Sequence, residues 1–198
     1  SPIKSLKDTN GKTIAYSTNG SSTHGVVKAL VAQYNLTAKP TAMGGPAANI
    51  TAVMSGQVDV GWAAPPFGLD QLDQKQIRII ATGNDAQVFK GQTVRLLIAN
   101  ANALKTRKAV IERYMKAYRE TVNYMYTDPA ALKVYSEWLK ITEAKAKRTR
   151  DDFFPRASIE PDTIVGLDTI VKDAVALKFT EKELTKEQLA ELIQIPGK

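Results

Sequence analysis

The chain has 198 residues, 43% of them hydrophobic and 24% charged, which is enough apolar material for one good core or two small lobes and speaks against a disordered chain. It has no cysteine and a single histidine. That excludes disulfides, thiolate metal sites, cysteine nucleophiles and multi-histidine metal centres, and leaves any Ser-His-Asp triad dependent on His24.

The opening residues Ser1-Pro2-Ile3-Lys4 carry no secretory leader pattern, and no later run approaches the roughly 18 apolar residues of a membrane span. The turn signal Asp8-Thr9-Asn10-Gly11 predicts a strand at Thr13-Ile14-Ala15-Tyr16. A polar loop from Ser17 leads into a helix over Thr23 to Tyr34, with Val26, Val27, Leu30, Val31 and Tyr34 on one face. A second strand is read at 39–43, and Gly44-Gly45-Pro46 turns into a helix from Ala47 to Ser55, stopped by Gly56. Val58 to Trp62 reads as a third strand, Pro65-Pro66 as the start of a helical turn, Ile77 to Ala81 as a fourth strand and Thr93 to Ala99 as a fifth. Strands alternating with helices predict an α/β sheet for residues 1–98.

Residues 99–198 read as a helical region with no strand after Asn100. A long amphipathic helix is predicted over 106–126, with Val110, Tyr114, Tyr118, Val122 and Met125 as its apolar stripe. Asp128-Pro129 opens another helix to Leu139, and two more are read at 162–175 and 185–193. These helices lack a sheet of their own to cover, so the helical half is expected to need a further chain segment or a second copy of the chain to bury its stripe. The basic run Lys145, Lys147, Arg148, Arg150 is followed at once by Asp151 and Asp152 and has no aromatic residues interleaved. It reads as a solvated helix face, and nucleic acid is not expected as a partner.

Three loops stand out. Asn19-Gly20-Ser21-Ser22-Thr23-His24 runs into a helix start, where unpaired N–H groups and the positive end of the helix dipole attract anions, and where the hydroxyls of Ser21, Ser22 and Thr23 are candidate extra donors. Simple N-capping by Ser21 or Ser22 is the plainer reading. Met43-Gly44-Gly45-Pro46-Ala47-Ala48-Asn49 repeats the arrangement, two glycines permitting close backbone approach. The third spaced glycine of a dinucleotide fingerprint is missing. Gly61-Trp62-Ala63-Ala64-Pro65-Pro66-Phe67 sits at a strand's C-terminal end, where Trp62 is either a flat wall with one N–H donor or a core residue. The ligand-contact candidates are therefore Ser21, Ser22, Thr23, His24, Gly44, Gly45, Trp62 and Ala63. No catalytic group, metal or cofactor is expected, because no carboxylate pair flanks these loops.

The pieces Ser5-Leu6-Lys7-Asp8 with Gly11-Lys12-Thr13-Ile14-Ala15, Gly20-Ser21-Ser22-Thr23-His24, Gly44-Gly45, Ala52-Val53-Met54-Ser55-Gly56-Gln57-Val58-Asp59, and Ala109 to Ala117-Tyr118-Arg119 with Asp128-Pro129, in this order, resemble the nitrate/sulfonate/taurine and thiamine-precursor group of periplasmic solute-binding proteins. The resemblance implies a type II periplasmic binding fold and a two-lobed, hinge-closing receptor. Such a receptor hands a small anionic or polar solute to the membrane permease of an ABC importer. It further implies that residues 1–98 are lobe two, that residues 99–198 complete lobe one, and that the first part of lobe one and a signal peptide lie outside this chain. Trp62-Ala63-Ala64-Pro65 departs from the acidic-Pro pair usual after that strand. The pyrimidine-synthase relatives use a Cys-rich motif, so without cysteine that activity is not expected. A ligand-sensing effector domain of the same fold is the alternative, and an enzyme a more distant one.

Overall fold

The computed structural model describes residues 1–93, 96–176 and 178–195. It forms two compact units, Ser1–Gly91 and Gln92–Lys198.

The first unit is a small parallel sheet with a helix on each face. Strand β1 (Thr13–Tyr16) pairs in parallel with β2 (Lys39–Ala42), Thr13 opposite Lys39 and Tyr16 opposite Ala42. On the other side of β1, Ile14 bridges Val60 in parallel, with Ala15 N–H donating to the Val60 carbonyl at 2.7 Å. Alternation along β1 divides the core. Ile14 and Tyr16 pack with Val27 of helix α1 (Ser22–Gln33) and with Leu36 and Ala38. Ala15 packs on the opposite face with Val58 and with Ala52 of α2 (Pro46–Met54). The short helix α3 (Leu69–Asp73) follows, entered from Gly68.

The strands β1 and β2 and the helices α1 and α2 fall where their turn and cap signals put them. The third strand is reduced to the single bridge at Val60, and Trp62 lies beyond the ladder. Residues 77–81 form no strand. A strand exists only beside a partner edge, and Ile79 is half exposed instead. The fifth predicted strand falls partly on residues 94 and 95, which lie outside the described residues. Its neighbours 96–99 are not in a ladder.

Asp59 fastens the start of this sheet. Its carboxylate accepts from the Thr13 backbone N–H and hydroxyl, each at 2.9 Å, with Lys12 Nζ 3.9 Å away. The Thr13 backbone N–H, then its hydroxyl and the Lys12 charge, hold the Asp59 pKa below the ordinary value, outweighing desolvation. A depressed carboxylate pKa contributes stability that is complete above the unfolded value of about 4 and is lost as pH falls through the folded one. Asp59→Asn is therefore expected to lower the thermal midpoint at pH 7, and the gap from the parent should close as the pH falls below about 4. A gap that stays constant between pH 7 and pH 3 would show that the charge of Asp59 has no part in it.

The second unit is helical: α4 (Ala101–Thr106), α5 (Lys108–Thr127), α6 (Ala130–Leu139), α7 (Glu143–Arg148), α8 (Leu167–Ala176) and α9 (Lys186–Leu192). The α5 stripe is rotated from the predicted one. Met115 and Val122 are the buried positions, while Val110 is 40% and Tyr114 57% exposed. A strict four-residue spacing advances about 40° per step around a helix of 3.6 residues per turn. Over the three steps from Val122 back to Val110, the predicted stripe walks off the covered face. Arg119 on α5 makes a two-point ion pair with Asp162, at 2.8 and 2.7 Å. The hydrogen bonds to Asp162 raise the guanidinium pKa.

Helix α7 carries Lys145, Lys147 and Arg148 of the basic run in the solvated helix face expected of it, whereas the π-helical turn Thr149–Phe153 after it was not foreseen, because its sequence carries almost no apolar stripe. The cap is the one local signal, Thr142 Oγ1 accepting from the Lys145 N–H at 3.2 Å. Within this segment Lys147 pairs with Asp151, Arg148 with Asp152 and Arg150 with Asp151. The hydrogen bonds from Arg150 and Lys147 push the Asp151 pKa down to about 2. The basic run is thus matched by its own following acids. No helix among the described residues is long and apolar enough to cross a membrane.

Candidate functional site

The parallel ladder continues one step past the strands. Met43 N–H donates to the Tyr16 carbonyl at 2.8 Å and Gly44 N–H to the Ser17 carbonyl at 2.9 Å. The loop after β1 and the loop after β2 therefore leave the sheet side by side, and each becomes a helix start within a few residues. The third segment joins them through Trp62, whose indole N–H donates to the Gly44 carbonyl at 3.2 Å. All three sequence-selected loops share the C-terminal edge of the sheet, where open α/β folds bind ligands.

In the first loop, Ser17 Oγ donates to Ser21 Oγ at 2.9 Å. A hydroxyl has one proton, so Thr23 is left to donate to Ser17 at 2.8 Å and Ser21 to Thr23 at 3.0 Å. The three hydroxyls close a ring. Their remaining acceptor sites take backbone donors, the His24 N–H on Ser21 at 3.2 Å and the Ser17 N–H on Thr23 at 2.9 Å. Ser21 and Thr23 thus do not offer free hydroxyl donors in this arrangement, contrary to the sequence expectation. What remains is the exposed Ser22 and the backbone N–H groups of Ser22 and Thr23 in the first turn of α1, which the helix does not satisfy internally. The His24 ring stacks on Tyr16, centroids 4.3 Å apart at 15°. Its Nδ1 accepts from the Gly20 N–H at 3.1 Å, which places the ring proton on Nε2.

In the second loop, Gly44 sits at φ +79°, a region open chiefly to glycine. Gly45 is the N-cap of α2 and Pro46 its first residue. In the third, Trp62 is half-buried and its N–H is already bonded, so it offers a surface and no donor; Ala63 beside it is exposed. Two residues have roles that the sequence reading did not assign. Ser17 completes the hydroxyl ring, and the fully buried Asn49 donates from Nδ2 to the Gly44 and Gly45 carbonyls at 2.9 and 3.1 Å. Their partners are set by tertiary pairing, so no local motif marks them. Asp59, the carboxylate nearest in sequence to the Trp62 loop, is spent on Thr13 at the start of β1, the other end of the strand from these loops. No cluster of three metal-ligating residues occurs among the described residues.

The model of the NMT1/THI5-like family matches residues 1–132, the whole sheet, the three loops and all of α5. The chain belongs to the NMT1/THI5-like family. No curated protein sequence matches it. Among solved structures, it is similar to the periplasmic aliphatic sulphonate binding protein SsuA from Escherichia coli, with a TM-score of 0.70 at 19% identity. That match covers 100% of this chain and 63% of the SsuA chain, so the present sequence spans less than two thirds of its structural relative. At this identity the likeness establishes the fold, an α/β periplasmic-binding-protein architecture, as the resemblance implied.

Proposed function

We propose that the chain is the ligand-binding part of a periplasmic solute receptor, which delivers a small anionic or strongly polar organic solute of the sulfonate, nitrate or taurine class to an ABC permease. Residues 1–98 act in this reading as the ligand-binding lobe two, and residues 99–198 as the helical region that completes lobe one. The further partner is the N-terminal segment of the receptor or another copy of the chain. The protein works by binding and hinge closure and not by catalysis.

One observation carries the reading. The Gly44–Ser17 hydrogen bond brings the starts of α1 and α2 to the same sheet edge. Two helix N-termini there present unsatisfied N–H groups and partial positive charge. The loops that bear them contain no carboxylate, and the chain carries a net +7. Such an edge favours an anion, with Ser22, Thr23, His24, Gly44 and Gly45 around it and Trp62 and Ala63 as an apolar border. Membership in the NMT1/THI5-like family and the SsuA-like fold support the same reading.

A thermal-shift screen with sulfonates, nitrate, aromatic carboxylates, pyrimidines and organic cations tests it. A ligand that binds only the folded chain raises the midpoint increasingly with its concentration relative to its dissociation constant, so a dose-dependent rise is expected with at least one anion. Tight binding of a cation, with no response to sulfonates, nitrate or carboxylates, would overturn the assignment.

A further inference from the structure

Asn49 is completely buried, at 0% exposed, and touches two of the three loops of the edge. Both hydrogens of its carboxamide are committed, to the Gly44 carbonyl at 2.9 Å and the Gly45 carbonyl at 3.1 Å. Its Oδ1 lies 3.5 Å from the Trp62 backbone nitrogen, whose N–H points to it. The amide orientation follows from this set, since a flipped carboxamide would turn its oxygen onto two carbonyls. The Gly44 carbonyl also accepts the Trp62 indole N–H at 3.2 Å. Trp62 is therefore tied at both ends to one small network, its backbone to Asn49 itself and its ring to the carbonyl that Asn49 holds.

The helix does not require these bonds. The Asn49 backbone N–H already makes the ordinary first-turn bond to the Gly45 carbonyl at 3.1 Å. The side chain instead fixes a residue outside the helix, Gly44, whose N–H is held by Ser17. One glycine thus joins all three loops, and one buried side chain sets its carbonyl.

We propose that Asn49 is the positioning residue of the ligand edge: it holds the Trp62 indole and the Gly44-Gly45 turn in a single arrangement, so that the apolar wall and the α2 N–H groups meet the solute together, without touching the solute itself. Its link to binding rests on the function proposed above, whereas the control of Trp62 by Asn49 does not. A buried polar network with every member paired rigidifies its surroundings, and loses that effect when one member is removed.

Trp62 and Trp138 are the two tryptophans, and Trp138 is 76% exposed. In a Trp138→Phe background, Trp62 is the sole tryptophan reporter. Asn49→Ala is expected to keep the far-ultraviolet circular dichroism while losing most of the near-ultraviolet signal of Trp62 and gaining severalfold in acrylamide quenching. In the unmutated chain, the Trp62 indole N–H should exchange with solvent at least about tenfold more slowly than that of Trp138. This second measurement stands even where Asn49→Ala fails to fold. Methanesulfonate is the probe for the binding arm, and its dissociation constant is expected to rise severalfold in Asn49→Ala. A folded Asn49→Ala with an unaltered Trp62 signal, or equal exchange of the two indoles, overturns the proposal. If the parent chain binds no methanesulfonate, the sulfonate reading fails, and the tryptophan measurements still decide the role of Asn49.

Discussion

Tyr16→Ala is expected to cost about 3–5 kcal/mol of folding stability, the range for removing a large buried aromatic side chain. Tyr16 is 7% exposed and sits in the cluster with Ile14, Val27, Leu36 and Ala38, between β1 and α1. It is also the last residue of β1, so its loss undermines the loop that follows. The ring stacks on His24, and the phenol hydroxyl donates to Asn19 Oδ1 at 2.6 Å. Both contacts hold residues 17–24 against the sheet. Tyr16→Phe separates the two effects: it keeps the ring and removes one partly buried hydrogen bond, for which about 1 kcal/mol is expected. Urea unfolding followed by circular dichroism measures both variants. Equal losses in the two would place the stability in the hydroxyl and not in the packed ring, and a loss below about 1 kcal/mol for Tyr16→Ala would contradict the burial argument altogether.

Elements with local punctuation were readable from the amino-acid sequence. β1 follows a turn signal, α1 begins at a serine cap, and α2 runs from Gly45-Pro46 to Gly56, with each signal acting over a few residues. Residues 77–81 have an apolar run of the right length, but a strand also needs an adjacent edge, and that depends on the whole fold. The phase of α5 was misjudged for a related reason. Val122 of the predicted stripe is buried, yet the neighbouring elements select a face that takes Met115 with it and leaves Val110 and Tyr114 exposed. At the site, the convergence of the three loops followed from the rule that parallel strands end at one edge. The use to which the donors are put did not follow. Ser21 and Thr23 close a ring with Ser17, and Trp62 gives its N–H to a carbonyl 18 residues away. Asn49 looks like an ordinary polar residue in a helix until the chain folds Trp62 back onto it.

Gly61→Ala is the second large effect, and it tests whether α2 and the Trp62 segment are packed to contact. A Cβ built at Gly61 would lie 2.8 Å from Val53 Cγ2 and 3.2 Å from the Asn49 backbone carbonyl. Neither neighbour yields cheaply. Val53 is β-branched, with essentially one χ1 rotamer available in a helix, and the Asn49 carbonyl belongs to the α2 backbone. Relief must come from moving α2 away from the sheet, and overpacking of this kind costs about 1–3 kcal/mol. The same movement would stretch the Asn49 contacts to the Trp62 loop, so a shift in Trp62 emission should accompany the loss. Gly45→Ala is the matched control. It lies in the same region at φ −71°, and an added Cβ there meets nothing within 4 Å, so its cost should stay within about 0.5 kcal/mol. Chemical denaturation of the pair settles the point: a Gly61→Ala variant as stable as Gly45→Ala would mean that α2 does not press on Gly61.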